Sequence, residues 1–220
     1  MIELRALPKC GVYAITSDRA QSPAELCDAI GHAVEGGARV IQYRRKRLEP
    51  GAQRREAAAA CRVAHELDAC FIVNDDLPLA LAIAADGVHL GREDGDFRSL
   101  RGQLPPDFIL GISCYASLER AAEAQAAGAT YAAFGSFFPS GTKPHAPPCP
   151  LFVLEEARRR LAVPLVAIGG ITPENSAALR AAGADFLAVI SGIFDADDIT
   201  AAARRYHAIF EEHGAENRHA

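Results

Sequence analysis

Eight short apolar runs, most of them rich in β-branched residues, alternate along this chain with Ala-, Leu-, Glu- and Arg-rich segments of helical spacing. The strand-like runs cover 12–16, 40–44, 71–75, 87–90, 108–113, 131–136, 164–170 and 186–191. The helix-like segments cover 23–35, 51–67, 78–84, 99–103, 117–126, 151–161, 173–182 and 196–211. A strand that is apolar throughout has to be covered on both faces, and parallel strands joined by crossover helices meet that demand. Ser22-Pro23 and Thr172-Pro173 put a hydroxyl residue at the cap and proline at the first helical position. Gly37-Ala38, Gly128-Ala129 and Gly183-Ala184, and more weakly Ala85-Asp86-Gly87, stand before strands, where a glycine can close the helix and turn the chain.

Eight such units in 220 residues predict a single-domain α/β chain, a closed (β/α)8 TIM barrel near the lower end of its size range. An open doubly wound sheet is the second architecture. The barrel is expected to span 1–212, with the polar stretch 213–220 as a frayed tail. No run approaches the roughly 18–20 apolar residues of a membrane span, and no basic-then-apolar leader opens the chain, so a cytoplasmic enzyme without a membrane partner is expected. The six cysteines are scattered without a C-x-x-C pair and read as free, mostly buried thiols. A net charge of −5 argues against a nucleic-acid partner, although Arg44-Arg45-Lys46-Arg47 is a dense basic cluster.

In a barrel, the residues that end the strands carry the chemistry. Gln42, Arg44 and Lys46 alternate along an extended segment, so they project to one side, where two cations and an amide suit a multiply charged phosphate. A solvated basic loop would have the same pattern. Lysine is scarce, at positions 9, 46 and 143 only, and two of the three fall in rim loops, which also keeps Schiff-base aldolase chemistry open. Asn74-Asp75 ends the third run, and Glu93-Asp94 follows the fourth. Asp75 and Asp94 could hold a divalent ion that completes its shell with water and phosphate oxygens, or could cap the helices that follow them. A carboxylate pair also suits glycoside hydrolysis, but the chain has no tryptophan to line a sugar cleft. Gly169-Gly170 and Ile190-Ser191 end the last two runs, as a phosphate site built from backbone N–H groups requires. His89 is read as part of a buried strand, and no set of residues has zinc spacing.

Seven pieces occur in order on these strand ends: Gln42-x-Arg44-x-Lys46, Asn74-Asp75, the run from Ala85 to Asp94, Gly111-x-Ser113, Thr142-Lys143, Ala167-Ile168-Gly169-Gly170-Ile171 and Val189-Ile190-Ser191. With them the chain resembles the thiamine-phosphate synthase family along nearly its whole length. The resemblance implies a transferase that condenses 4-amino-5-hydroxymethyl-2-methylpyrimidine diphosphate with a thiazole phosphate, or its carboxylated form, releasing pyrophosphate. It implies that Gln42, Arg44, Lys46, Asn74, Ser113 and Lys143, with the neighbouring Tyr43 and Arg45, bind the pyrimidine diphosphate. Arg44, Lys46, Lys143 and Ser113 would be the catalytic set, and Asp75 and Asp94 would bind Mg²⁺. Ser140, Gly141, Thr142, Gly170, Ile190 and Ser191 would cradle the thiazole phosphate. The partners so implied are small phosphorylated molecules, with a homo-oligomer left open.

Three positions depart from the family pattern. Tyr115 stands where relatives commonly have histidine, which disfavours the related thiazole tautomerases. Gly141 offers only backbone between its hydroxyl neighbours. Arg45 replaces a commonly acidic residue and is expected to add positive charge near the diphosphate.

Overall fold

The computed structural model describes residues 4–19, 21–45, 48–94, 96–141 and 147–216, with side chains through 211. Eight strands pair in chain order, all parallel: β1 (Gly11–Ile15), β2 (Ala38–Tyr43), β3 (Cys70–Asn74), β4 (Gly87–Leu90), β5 (Ile109–Tyr115), β6 (Tyr131–Phe134), β7 (Leu165–Ile168) and β8 (Phe186–Val189). The ladder from β8 back to β1 sets Gly11 opposite Phe186 and Ala14 opposite Val189, so the sheet is a closed barrel and not an open one. Around it lie α1 (Pro23–Glu35), α2 (Pro50–Glu66), α3 (Leu77–Ala82), α4 (Leu118–Ala126), α5 (Leu151–Arg160), α6 (Pro173–Ala181), α7 (Ser191–Phe194) and α8 (Ile199–Glu216).

Strand alternation divides the apolar residues into two cores. Val12 and Ala14 face the helices, whereas Tyr13 and Ile15 enter the barrel with Val40, Ile72, Ile109, Tyr131, Val166 and Phe186. The helices meet the outer face through stripes of helical period; α1 buries Leu26, Ala29, Ile30, Ala33 and Val34. Each such Leu or Ile contributes about 1.5–3 kcal/mol of burial. A capping box starts α1, with the Glu25 N–H donating to Ser22 Oγ (3.2 Å) and the Ser22 N–H to Glu25 Oε2 (2.6 Å).

One stop device recurs. After α1, α2, α3, α4 and α6 comes a residue of positive φ, namely Gly37, Asp68, Ala84, Gly128 or Gly183, followed by alanine. In four of these the alanine N–H returns to the last helical turn: Ala69 to Ala64, Ala85 to Ala80, Ala129 to Ala124 and Ala184 to Leu179, at 2.8–3.0 Å. Asp68 and Ala84 adopt this left-handed conformation without glycine, at a cost of about 1–2 kcal/mol.

Several boundaries differ from the sequence reading. The segment expected as a helix at 99–103 forms two 3₁₀ turns, Phe97–Ser99 and Arg101–Gln103, because Gly102 weakens it and Pro105-Pro106 ends it. The run 164–170 is cut to β7 because Gly169 (φ 106°) and Gly170 (φ 60°) leave the β region. The short α7 was not legible in the sequence. The backbone is helical to Glu216, so 213–216 extend α8 instead of starting a tail, there being no proline to stop it; 217–220 lie outside the described residues.

Candidate functional site

The rim residues Arg44, Asn74, Asp75, Asp94 and Ser113 are half-buried, whereas the strand residues beneath them are largely buried. They sit where the strands open to solvent. Along β2 and just past it, alternation sorts the polar side chains as expected. Gln42 Nε2 donates to Tyr13 Oη (2.8 Å) inside the barrel, and Arg44 Nη1 pairs with Asp18 Oδ2 (3.1 Å) from the β1–α1 loop. Tyr43 and Arg45 point the other way. The Tyr43 hydroxyl donates to Glu56 Oε1 on α2 (2.8 Å), and Arg45 grips both oxygens of that carboxylate (3.0 and 3.1 Å). This corrects two expectations: the side chains of Tyr43 and Arg45 face α2 and not the rim, and Glu56 neutralises the charge of Arg45. Arg45 also holds the Arg19 carbonyl, so the buried pair anchors the loop that carries Asp18. Lys46 lies outside the described residues.

At β3 and β4, Asp75 has φ 65° and its N–H donates to the His89 carbonyl (2.8 Å), joining the two strand ends. The capping alternative fails for both acids by a shift of register. Asp76, not Asp75, caps α3 by accepting from the Leu79 N–H (2.8 Å). Asp96, not Asp94, caps the first 3₁₀ turn through the Arg98 N–H (3.1 Å). Asp94 Oδ2 instead accepts from the Gly91 N–H (2.6 Å), folding its carboxylate back over its own loop. A Cβ at position 91 would stand 2.8 Å from that oxygen.

Arg120, which the sequence did not single out, and Tyr115 brace this loop. Arg120, on α4, donates from Nε to the Ser113 carbonyl (2.8 Å) and from Nη2 to the Gly91 carbonyl (2.9 Å). Tyr115, in a bulge of β5 at φ 59°, accepts from the Arg92 N–H (3.2 Å) and lies under its guanidinium. Below the rim, His89 Nε2 meets Ser113 Oγ (2.8 Å), and His89 Nδ1 meets Tyr131 Oη (2.9 Å).

On the opposite side, the loop after β6 packs on the turn after β7: the Phe138 N–H donates to the Gly169 carbonyl (3.0 Å). A Cβ at Gly170 would stand 2.3 Å from the Pro139 carbonyl oxygen, so glycine is required there by both space and φ. Ser140 and Gly141 continue this loop, and a Cβ at 141 would meet nothing within 4 Å among the described residues. Thr142 and Lys143 lie outside the described residues. Ile190 caps α7 and Ser191 opens it, a short extra helix after the eighth strand of the kind that phosphate-binding barrels use. Tyr206 from α8 abuts this turn: its hydroxyl donates to the Ile171 carbonyl (3.0 Å), and a Cβ at Gly192 would stand 2.4 Å from it.

Burial pushes the Cys114 thiol, next to Ser113 in sequence, up to about 12 and the Cys149 thiol up to about 11, so neither offers a thiolate at neutral pH.

The family model for thiamine monophosphate synthase matches residues 12–193, which takes in every rim residue described above. The chain belongs to this family. It is 50% identical to the thiamine-phosphate synthase of Chromobacterium violaceum, over 88% of this chain and 93% of that one. It is 48% identical to that of Aromatoleum aromaticum, over 91% and 96%. Among solved structures it is similar to the thiamine phosphate pyrophosphorylase of Pyrococcus furiosus, with a TM-score of 0.83 and 35% identity over 93% of this chain and 96% of that one. The resemblance read from seven motifs therefore holds over the barrel as a whole. No helix among the described residues is long and apolar enough to cross a membrane.

Proposed function

We propose that this chain is the transferase of thiamine biosynthesis that condenses the pyrimidine diphosphate with the thiazole phosphate, giving thiamine phosphate and pyrophosphate. The observation that carries the reading is the hydrogen bond from the Asp75 N–H to the His89 carbonyl (2.8 Å). It brings the two acid-bearing loops to one rim, in the sector next to Arg44. Among the described residues no group of three or more His, Cys, Asp or Glu side chains is placed to hold a metal ion. Two hard carboxylates are the sparse donor set that suits Mg²⁺, which keeps several waters and takes substrate phosphate oxygens. Asp75 and Asp94 would hold that ion, and when bound it neutralises charge on the diphosphate.

The protein's own groups then position and neutralise. Arg44, aimed by Asp18, donates to diphosphate oxygens together with Lys46 and Lys143, and these cations stabilise the departing pyrophosphate. Gln42, Asn74 and Ser113 hold the pyrimidine. Ser140, Gly141 and Thr142, with Gly170, Ile190 and Ser191, hold the thiazole phosphate through hydroxyls and N–H groups. Pyrophosphate departs with the bonding electron pair, the aminopyrimidine ring stabilises the exocyclic methylene cation left behind, and the thiazole nitrogen then attacks it, so charge stabilisation and positioning carry the catalysis and little acid–base work is required. We place the reaction in the cytoplasm, a reading supported by six unpaired cysteines.

The test is pyrophosphate release. Release is expected only when both substrates and Mg²⁺ are present; none from correctly folded protein overturns the reading.

A further inference from the structure

A single row of hydrogen bonds runs through the barrel interior beneath the rim. Gln42 Nε2 donates to Tyr13 Oη (2.8 Å), Tyr13 Oη meets Tyr131 Oη (2.7 Å), Tyr131 Oη meets His89 Nδ1 (2.9 Å), and His89 Nε2 meets Ser113 Oγ (2.8 Å). Tyr13 is 1% exposed, Tyr131 is fully buried and Gln42 is 3% exposed. Burial pushes both phenols upward, so each keeps its single proton.

Proton counting gives the row a direction. Tyr13 accepts from an amide N–H, so its own proton must go to Tyr131; turned the other way, it would leave a buried donor unsatisfied. Tyr131 in turn gives its proton to His89 Nδ1. That nitrogen must be bare, so the imidazole carries its proton on Nε2 and donates it to Ser113 Oγ. The Ser113 hydroxyl proton is then left to point onward, and Gln42 keeps Oε1 as its remaining acceptor.

We infer that Tyr13 and Tyr131 are positioning residues. They lock His89 in the Nε2–H tautomer, and thereby present a Ser113 donor and a Gln42 acceptor at the two ends of one row. A ligand that meets both ends carries an acceptor for Ser113 and a donor for Gln42, as an amino-substituted nitrogen heterocycle does. The inference about the ligand rests on the proposed reading of Gln42 and Ser113; the tautomer does not.

The test uses the full chain labelled with ¹⁵N-histidine at pH 8, above the ordinary imidazole range. Seven histidines contribute signals, and His89 is assigned from those missing in His89→Gln. In the wild type the His89 proton is expected on Nε2. Tyr131→Phe is expected to give mixed tautomers, whereas Tyr13→Phe, which leaves Tyr131 its proton to donate, keeps Nε2–H. Both variants are expected to raise KM for the pyrimidine diphosphate by about tenfold, with KM for the thiazole phosphate within about twofold of wild type. A wild-type proton on Nδ1, or on both nitrogens, overturns the inference even if no variant folds, as does an unchanged tautomer in Tyr131→Phe. Pyrophosphate release with Nδ1–H leaves the functional reading standing and removes this one. Nε2–H in a folded chain that releases no pyrophosphate does the reverse.

Discussion

Replacing Glu56 by alanine probes the pair that anchors the rim loop. Glu56 and Arg45 have side chains only 3% and 6% exposed, and the guanidinium meets both carboxylate oxygens at 3.0 and 3.1 Å. Removing one partner of such a pair leaves a buried, unmatched cation, at a cost of about 3–5 kcal/mol. The Tyr43 hydroxyl loses its 2.8 Å acceptor at the same time, which puts the total in the upper part of that range. At about 2–4 °C per kcal/mol for a chain of this size, Tm should fall by about 8–20 °C. Arg45 also holds the Arg19 carbonyl beside Asp18, so at a temperature where the variant is folded kcat/KM should still drop, as Asp18 ceases to aim Arg44. Urea titration and calorimetry measure the first effect, and pyrophosphate release at 20 °C below the variant's Tm measures the second. The double variant Arg45→Met/Glu56→Leu should recover most of the stability, because two apolar side chains leave no uncompensated charge. A loss below about 1 kcal/mol for Glu56→Ala, or a double variant no more stable than the single one, would refute the argument.

Asp75→Ala and Asp94→Ala should each lower turnover by about a hundredfold or more while leaving the unfolding midpoint nearly unchanged; near-normal turnover at saturating Mg²⁺ rejects the ligand role. Gly170→Ala forces a left-handed alanine and drives a Cβ toward the Pro139 carbonyl, so KM for the thiazole phosphate should rise more than KM for the pyrimidine diphosphate. Equal changes in both would place the defect elsewhere. Burial holds the Cys61 and Cys114 thiols up at about 12, above their unfolded value near 8.5–9. Above pH 9 the unfolded chain loses these protons and the folded one keeps them, so stability is present below that pH and falls as pH rises, by up to about 1.4 kcal/mol per pH unit for each such thiol. Urea midpoints at pH 8, 9 and 10 measure the slope, and Cys61→Ala should flatten it.

The strand and helix order was legible because hydrophobic period and helix-start chemistry are local. Ser22-Pro23 and the three Gly-Ala stops declare themselves within a few residues. Asp68 and Ala84 do not, because their left-handed conformation is repaid by hydrogen bonds to a turn already formed. The acids at the rim were found as a pair, but the choice between ligand and cap was not available from spacing. Caps at Asp76 and Asp96 depend on where each helix starts, which a shift of one or two residues decides. Arg45 read as extra charge for the diphosphate because its neutralising partner lies on α2, eleven positions away on the far face of β2.

By itself, then, the sequence determined the repeated strand–helix unit, the family and the set of residues placed at the strand ends, since each is written in short, ordered motifs. Tertiary structure decided closure, because pairing β8 with β1 joins residues some 175 positions apart, as Gly11 and Phe186 are. It also decided what lies beneath the acids. Tyr13 and Tyr131 are 118 positions apart and are ordinary strand residues until the barrel closes around them, when Tyr131 becomes the acceptor of the buried Tyr13 proton and His89 the acceptor of its own.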